Sequence, residues 1–295
     1  MSQIKLAAVL MACLMGASIS ISAQTLKKIE VTNKITVSYR ESSIPFSYLP
    51  ASGNRAVGFA VDLTDEIVSE VKKQLNKPAL EVSYIAVNGQ NRIPLLVDGT
   101  YDLECGSTTN TASRAKEVSF AISHFFAGTR LLAKKASNIK SYSDLNKKIV
   151  ASTLGSTNEK VLRQYALDNS IDVQFLLYKD YADAFNAVVT DRAVAVAMDD
   201  ILLFGLMANS EKPEDFEVVG QTLQIEPYGC MVRKDDLAFK KLVDTTIARL
   251  MTSGAFTKLY AKWFESPIPP RGIVLKMPMS AQLNKNLKEL TDQPM

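Results

Sequence analysis

Three arginines, Arg40, Arg92 and Arg114, carry the strongest chemical signal in the sequence. Each stands where a strand or helix end meets a loop, beside small polar residues: Tyr39-Arg40-Glu41-Ser42-Ser43, Gln90-Asn91-Arg92-Ile93-Pro94, and Cys105-Gly106-Ser107-Thr108-Thr109-Asn110 with Arg114 four residues on. A guanidinium fork holds a carboxylate through two parallel N–H···O bonds, and Ser or Thr hydroxyls complete the shell. Three such groups exceed what one carboxylate needs, although for any single arginine surface ion pairing is the commoner use. Other chemistries find less material. The only histidine is His124, and a lone histidine is more often structural; neither metal-ligand spacing nor a phosphate-cradling glycine loop is present. Glu41 and Glu104 flank the arginines and are expected to position them by ion pairing rather than to act as bases.

The elements that must hold these residues alternate short β-like runs with amphipathic helical patterns, the signature of α/β layers. A strand over 35–39 precedes a helix over 62–75 with the stripe Leu63, Ile67, Val68, Val71 and Leu75. A strand over 81–85, a short helix over 93–97, the turn Asp98-Gly99 and a strand over 101–103 follow. The pattern then restarts: a helix entry at 143–145, a strand over 148–151, and a helix after Gly155 with Ser156 and Glu159 at capping-box spacing. Strands over 173–176 and 194–197 flank a helix carrying Phe185 and Val188. Two β-like crossings, 125–132 and 226–232, join the halves, so the chain leaves one lobe, builds a second and returns, a topology suited to hinge closure. A long helix over 237–264 ends the fold, with Gly254 as its break point and Pro267, Pro269 and Pro270 stopping it.

Residues 1–23 read as a signal peptide: Lys5, the apolar run from Leu6 to Leu14, and a polar, small-residue stretch with cleavage after Ala23. That run is far shorter than the roughly 20 residues that span a bilayer. Lipidation at Cys13 is the rival reading. About 270 residues remain, more than one small core holds. We expect a discontinuous first lobe at 24–127 and 228–268, a second lobe at 128–227, and a polar C-terminal tail at 269–295. A net charge of +3 with lysines spread along the chain opposes a nucleic-acid surface. Cys105 and Cys230 make either a disulfide, as an exported chain allows, or two buried thiols.

Several strings together resemble the glutamate/aspartate periplasmic binding proteins, solute-binding proteins of family 3 that serve amino-acid ABC transporters. They are Arg40-Glu41-Ser42-Ser43-Ile44-Pro45-Phe46-Ser47-Tyr48, Gln90-Asn91-Arg92-Ile93-Pro94-Leu95-Leu96, Glu104-Cys105-Gly106-Ser107-Thr108-Thr109-Asn110, Gly128-Thr129-Arg130-Leu131-Leu132, Met198-Asp199-Asp200 and Tyr228-Gly229-Cys230-Met231. The likeness runs in order through Trp263-Phe264 and Pro267-Ile268-Pro269-Pro270. It implies an α/β, two-lobed (type II) periplasmic binding protein fold with two hinge strands. It also implies delivery of an acidic amino acid to permease subunits, with no cofactor, by a chain acting as a monomer. Arg114, with Ser107 and Thr109, would hold the ligand α-carboxylate at the N-terminal end of a helix. Asp199 would accept from the α-ammonium group, Arg40 and Arg92 would face the side-chain carboxylate, and Thr157 would close over the same end. The resemblance also implies a Cys105–Cys230 disulfide.

Two positions depart from the pattern. Gly89 stands where family members carry serine, and Tyr181, after Lys179-Asp180, where they carry histidine. Both positions serve the side-chain carboxylate, so the departures allow weaker glutamate binding or wider acceptance toward aspartate, asparagine or glutamine; Tyr181 either donates through its hydroxyl or merely packs. A periplasmic dehydratase or lyase on the same scaffold is the rival from another class. A chemoreceptor module is opposed by the lack of an apolar run after Phe264.

Overall fold

The structure, a computed structural model, describes residues 25–50 and 53–295. The expected signal peptide and the lipidation reading of Cys13 lie outside the described residues.

The first lobe opens with a helix, Thr25–Thr32, and the strand Lys34–Tyr39, which pairs in parallel with Glu81–Ala86. Alternation sends Ile35 and Val37 into the core. The connecting helix is Phe59–Gln74, three residues longer at its start than the apolar stripe alone marks. Gly58, at φ 142°, causes the earlier entry: a Cβ there would lie 2.1 Å from the Phe46 carbonyl oxygen. Only glycine lets the chain fold back so closely. Asp62, the expected start, instead accepts from the Trp263 indole N–H at 2.7 Å. The segment 101–103 is not a ladder strand. It lies beside the first strand through single contacts (Ser38 N–H to Leu103 O, 3.0 Å; Asp102 N–H to Thr36 O, 2.7 Å), and the Asp102 carboxylate takes Arg233 and Lys28.

The second lobe is built on a six-stranded sheet. Its order is Phe216–Val219, Phe125–Lys134, Ala195–Asp199, Lys148–Thr153 and Val173–Tyr178, with Ile225–Tyr228 also paired to Phe125–Lys134. The strands from Ala195, Lys148 and Val173 run in parallel; the crossing strand Phe125–Lys134 is antiparallel to its neighbours. That ten-residue strand and the return strand Ile225–Tyr228 form the two hinge strands, registered Phe125 against Tyr228 and Gly128 against Ile225. Beyond the bend at Gly229 and Cys230 the return continues as Met231–Arg233, paired with Val118–Phe120. Three helices, Thr157–Asp168, Tyr181–Val189 and Asp200–Asn209, pack on the sheet.

An aromatic cluster seats the hinge in the first lobe. Phe125 packs within 4.9 Å of Phe46 and 5.2 Å of Phe264, ring centre to ring centre, with Tyr228 and Tyr260 beside it. Each such ring, fully buried, contributes about 1.5–3 kcal/mol. The last helix is interrupted as expected: Leu237–Thr252 stops before Gly254 (φ 79°), and Ala255–Tyr260 passes into a wider turn at Ala261–Glu265. The tail holds a further helix, Ala281–Glu289, with Leu283 buried and Asn286 donating to the Ser123 carbonyl at 2.7 Å.

Candidate functional site

The loops at the carboxyl ends of the first-lobe strands meet the helix starts of the second lobe along a seam, where Ser42 bonds to Asp180, Ser107 reaches Tyr181, Thr109 reaches Thr157 and Arg114 bonds to the Gly155 carbonyl. Arg40 follows the first strand and is 1 % exposed. Its backbone is held by Ser47, whose hydroxyl accepts the Arg40 N–H at 2.9 Å. Its three guanidinium nitrogens have no protein partner. Arg92 opens the helix Arg92–Val97, is 2 % exposed, and leaves Nε and Nη1 unpartnered. Its carbonyl accepts from the Tyr101 hydroxyl at 2.5 Å. A buried guanidinium without acceptors is costly, several kcal/mol, so this end is built for an anion.

The carboxylates beside the arginines do not pair with them. Neither Glu41, which is exposed, nor Glu104, which is fully buried, forms an ion pair among the described residues. Glu104 instead accepts from Thr108 at 3.0 Å and leaves Oε2 unpartnered. Burial pushes the Glu104 carboxyl upward, against the pull of Arg92 and Arg40. Contact pairing would cost both side chains the freedom to receive a ligand.

Tyr181 enters from the second lobe at the start of its helix. Its ring lies under the Arg40 guanidinium, 4.6 Å from charge centre to ring centre, and its hydroxyl lies 3.4 Å from the Ser107 hydroxyl. It therefore both packs and offers a polar end, a cation–π platform that holds the fork flat. Ser107 also meets Ser43 at 2.7 Å.

A second group gathers Thr109, Thr157 and Arg114. The two threonine hydroxyls are 3.3 Å apart. Arg114 is half-buried; Nη1 donates to the Thr109 carbonyl and Nη2 to the Gly155 carbonyl, both at 2.9 Å, so it spans the lobes. The expectation of a helix N-terminus at Arg114 is corrected: Arg114–Lys116 is a three-residue 3-10 turn with no useful dipole. The helix end at this site is that of Thr157–Asp168, where Ser156 accepts from the Glu159 N–H at 3.3 Å. Desolvation, and after it the Arg92 charge, lower the Arg114 guanidinium to about 10, still protonated at neutral pH.

The third group is anionic. Asp199 ends the strand Ala195–Asp199, is buried, and accepts from the Asn158 amide at 3.0 Å. Burial, and after it the neighbouring Glu226, push its carboxyl up to about 7. Glu226, Asn158 and Tyr228 join the site without having been singled out. Glu226 was visible in the sequence as a charge inside an apolar return strand, a pattern that normally marks either an edge or a function.

Closure brings backbone against backbone. A Cβ on Gly89 would lie 2.5 Å from the Leu154 carbonyl oxygen, and one on Gly155 (φ 75°) 2.5 Å from the Gly89 oxygen. Gly89 thus replaces a hydroxyl with room for the second lobe. Ser42 and Asp180 bond across the same seam. Cys105 and Cys230 form a disulfide that ties the site segment to the return strand across 125 residues, a constraint of about 2–4 kcal/mol. His124 is fully buried beside Phe59, ring centres 6.0 Å apart, with both ring nitrogens unpartnered; burial lowers it to about 3. No helix among the described residues is long and apolar enough to cross a membrane.

Residues 35–266 match the model of bacterial extracellular solute-binding proteins, family 3. The chain is 47 % identical over 269 residues to the L-glutamate/L-aspartate-binding protein of Pseudomonas aeruginosa, covering 91 % of this chain and 89 % of that one. It is 44 % identical over 272 residues to the glutamate/aspartate import solute-binding protein of Escherichia coli, covering 92 % and 90 %. Among solved structures it resembles an ancestral arginine-binding protein bound to arginine (TM-score 0.70, 27 % identity, 79 % of this chain and 98 % of that one). It also resembles an ancestral amino acid-binding protein described as a precursor of cyclohexadienyl dehydratase (TM-score 0.69, 28 % identity, 81 % and 99 %).

Proposed function

We propose that this chain, which belongs to family 3 of the bacterial extracellular solute-binding proteins, closes two lobes around glutamate or aspartate and delivers it to an ABC importer. The observation that carries the acidic specificity is the pair of buried arginines, Arg40 and Arg92, with five guanidinium nitrogens lacking protein acceptors. An amide offers those donors one oxygen and two competing donors; a carboxylate offers two oxygens and charge. Relatives named for glutamate and aspartate support the same reading.

In this reading Arg114, Ser107 and Thr109 take the α-carboxylate, Asp199 takes the α-ammonium, and Arg40 and Arg92 take the side-chain carboxylate. Tyr181 backs Arg40, and Thr157 closes from the second lobe. The first lobe comprises 24–127 and 228–268, the second 128–227, and 269–295 is a tail folded back onto the first. Residues 1–23 export the chain to the periplasm and are removed. A ligand that touches both lobes favours the closed form, because only differential contact shifts a two-state equilibrium. The closed protein then presents both lobes to permease subunits, acts as a monomer and needs no cofactor. Binding without turnover fits the placement of His124, buried and uncharged against Phe59 rather than beside the arginines.

Calorimetry on two variants tests the assignment of the two ends. Arg114→Ala should lower affinity for glutamate and glutamine alike, by about 100-fold or more, as expected for a lost charge-assisted pair. Arg40→Ala should lower glutamate affinity about 10–100-fold and leave glutamine within a few-fold. Equal losses for both ligands in both variants would mean the ends are misassigned.

A further inference from the structure

The carboxylate of Glu226 has no place in the roles described so far, yet it bonds to residues of both lobes. It is borne by the return hinge strand Ile225–Tyr228 and is fully buried. One oxygen, Oε2, accepts from Thr109 of the first lobe at 2.6 Å and from Thr157 of the second. The other, Oε1, is buried with no partner, and so is the Tyr228 hydroxyl two residues along. The sheet register places Glu226 opposite Ala127 and Asp199 opposite Thr129. Ala127 and Thr129 project from one face of the crossing strand, and direct partners share that face. Glu226 and Asp199 therefore flank the hinge on the same side, a carboxylate pair in a desolvated place.

We propose that Glu226 is a second, hinge-borne acceptor for the ligand ammonium group, acting with Asp199 through its unpartnered Oε1. This rests on the amino-acid reading above. The Glu226 carboxylate beside Asp199 opposes ionisation of Asp199, as a like charge in a desolvated place does. Burial and Glu226 together hold Asp199 near 7, in keeping with that. The groups facing the pair are Asn158 and Asp200 behind Asp199, Tyr228 on the return strand, Tyr181 from its helix, and Arg114 from the first lobe. The one cation among them, Arg114, donates to the Thr109 and Gly155 carbonyls and to neither acid. An α-ammonium group brings three N–H donors and one positive charge to that position. It favours the ionised form of Asp199, whose proton leaves to solvent; the ligand nitrogen keeps its own three. Glu226 also places the ammonium contact on the strand that bends, joining occupancy to closure.

The test compares glutamate with glutarate, which keeps both carboxylates and lacks the ammonium. Wild type, Glu226→Gln and Glu226→Asp are titrated at pH 7 in two buffers of unlike ionisation enthalpy, which yields the protons released per ligand. Wild type should release a measurable fraction of one proton with glutamate. Glu226→Gln, whose amide oxygen still accepts from both threonines, should bind glutamate about 10–100-fold more weakly and release less, with glutarate affinity unchanged or improved. Glu226→Asp should restore proton release, and decides the matter if the glutamine variant does not fold. Unchanged glutamate affinity and proton count in Glu226→Gln would overturn the proposal, as would equal losses for glutamate and glutarate, which mark a merely structural residue. Should wild type bind no α-amino acid, the amino-acid reading itself falls, and this one with it.

Discussion

Arg40 and Arg92 lie buried with five guanidinium nitrogens unpartnered, whereas Arg114 spends two of its nitrogens on carbonyls of both lobes. Three arginines beside Ser, Thr and Gly marked these positions in the sequence; their surroundings carried no such mark. Glu104 and Arg40 are near in sequence terms only through the fold, and nothing local tells that Glu104 stays unpaired while Arg40 rests on Tyr181. His124 shows the same limit: its isolation suggested a structural role, and only the fold places it fully buried against Phe59. Its folded value of about 3 lies below the ordinary 6.5, so the native state binds fewer protons than the unfolded chain. Its contribution is therefore complete above about pH 6.5 and is lost as pH falls, by about 1.4 kcal/mol per unit. Denaturant titrations at pH 7.5 and pH 5 should show wild type losing about 2 kcal/mol more than His124→Leu over that interval. Glu104 and Asp199, raised in both proteins, bend both curves alike. Parallel losses in the two proteins would show that His124 is not the acid-sensitive group.

At the scale of elements, periodic patterns located most helices and strands, and failures have physical causes. The helix Asp200–Asn209 carries no stripe, because Ile201, Leu202, Leu203 and Leu206 are buried on nearly every side. The helix Phe59–Gln74 begins early because Gly58 closes onto Phe46, a tertiary contact that periodicity does not encode. The tail reads as polar, yet Leu283 and Asn286 suffice to dock its helix. Gly89 is the instructive case: as a lost hydroxyl it suggested weakened binding, whereas against Leu154 it is the gap that lets two loops meet. Gly89→Ser should therefore not strengthen binding. The added Cβ meets a backbone oxygen that cannot rotate away, so glutamate affinity should fall about tenfold or more, with the thermal midpoint of the ligand-free protein unchanged within about 1 °C. Tighter binding by Gly89→Ser would mean the loops separate freely and the closed approach is not what glycine serves.

For the whole molecule, the excursion through two crossing strands was legible because it is written in element order, and order survives when boundaries shift by a few residues. How the lobes meet was not legible. Arg114 reaching the Gly155 carbonyl, Ser42 reaching Asp180, and the threonine pair around Glu226 join residues 41 to 138 positions apart, and no local pattern relates them. In the proposed reading those contacts make a binder whose two ends are read separately, the α-amino-acid end by Arg114 and the anionic pair, the side-chain end by Arg40 and Arg92. The most direct measurement is isothermal titration calorimetry of the mature protein against glutamate, aspartate, glutamine and asparagine. The account predicts that both acids bind at about micromolar Kd or tighter and about 100-fold more tightly than either amide, the value of satisfying two buried guanidinium groups with charge. Amides that bind as tightly as the acids, or acids that do not bind, would contradict it.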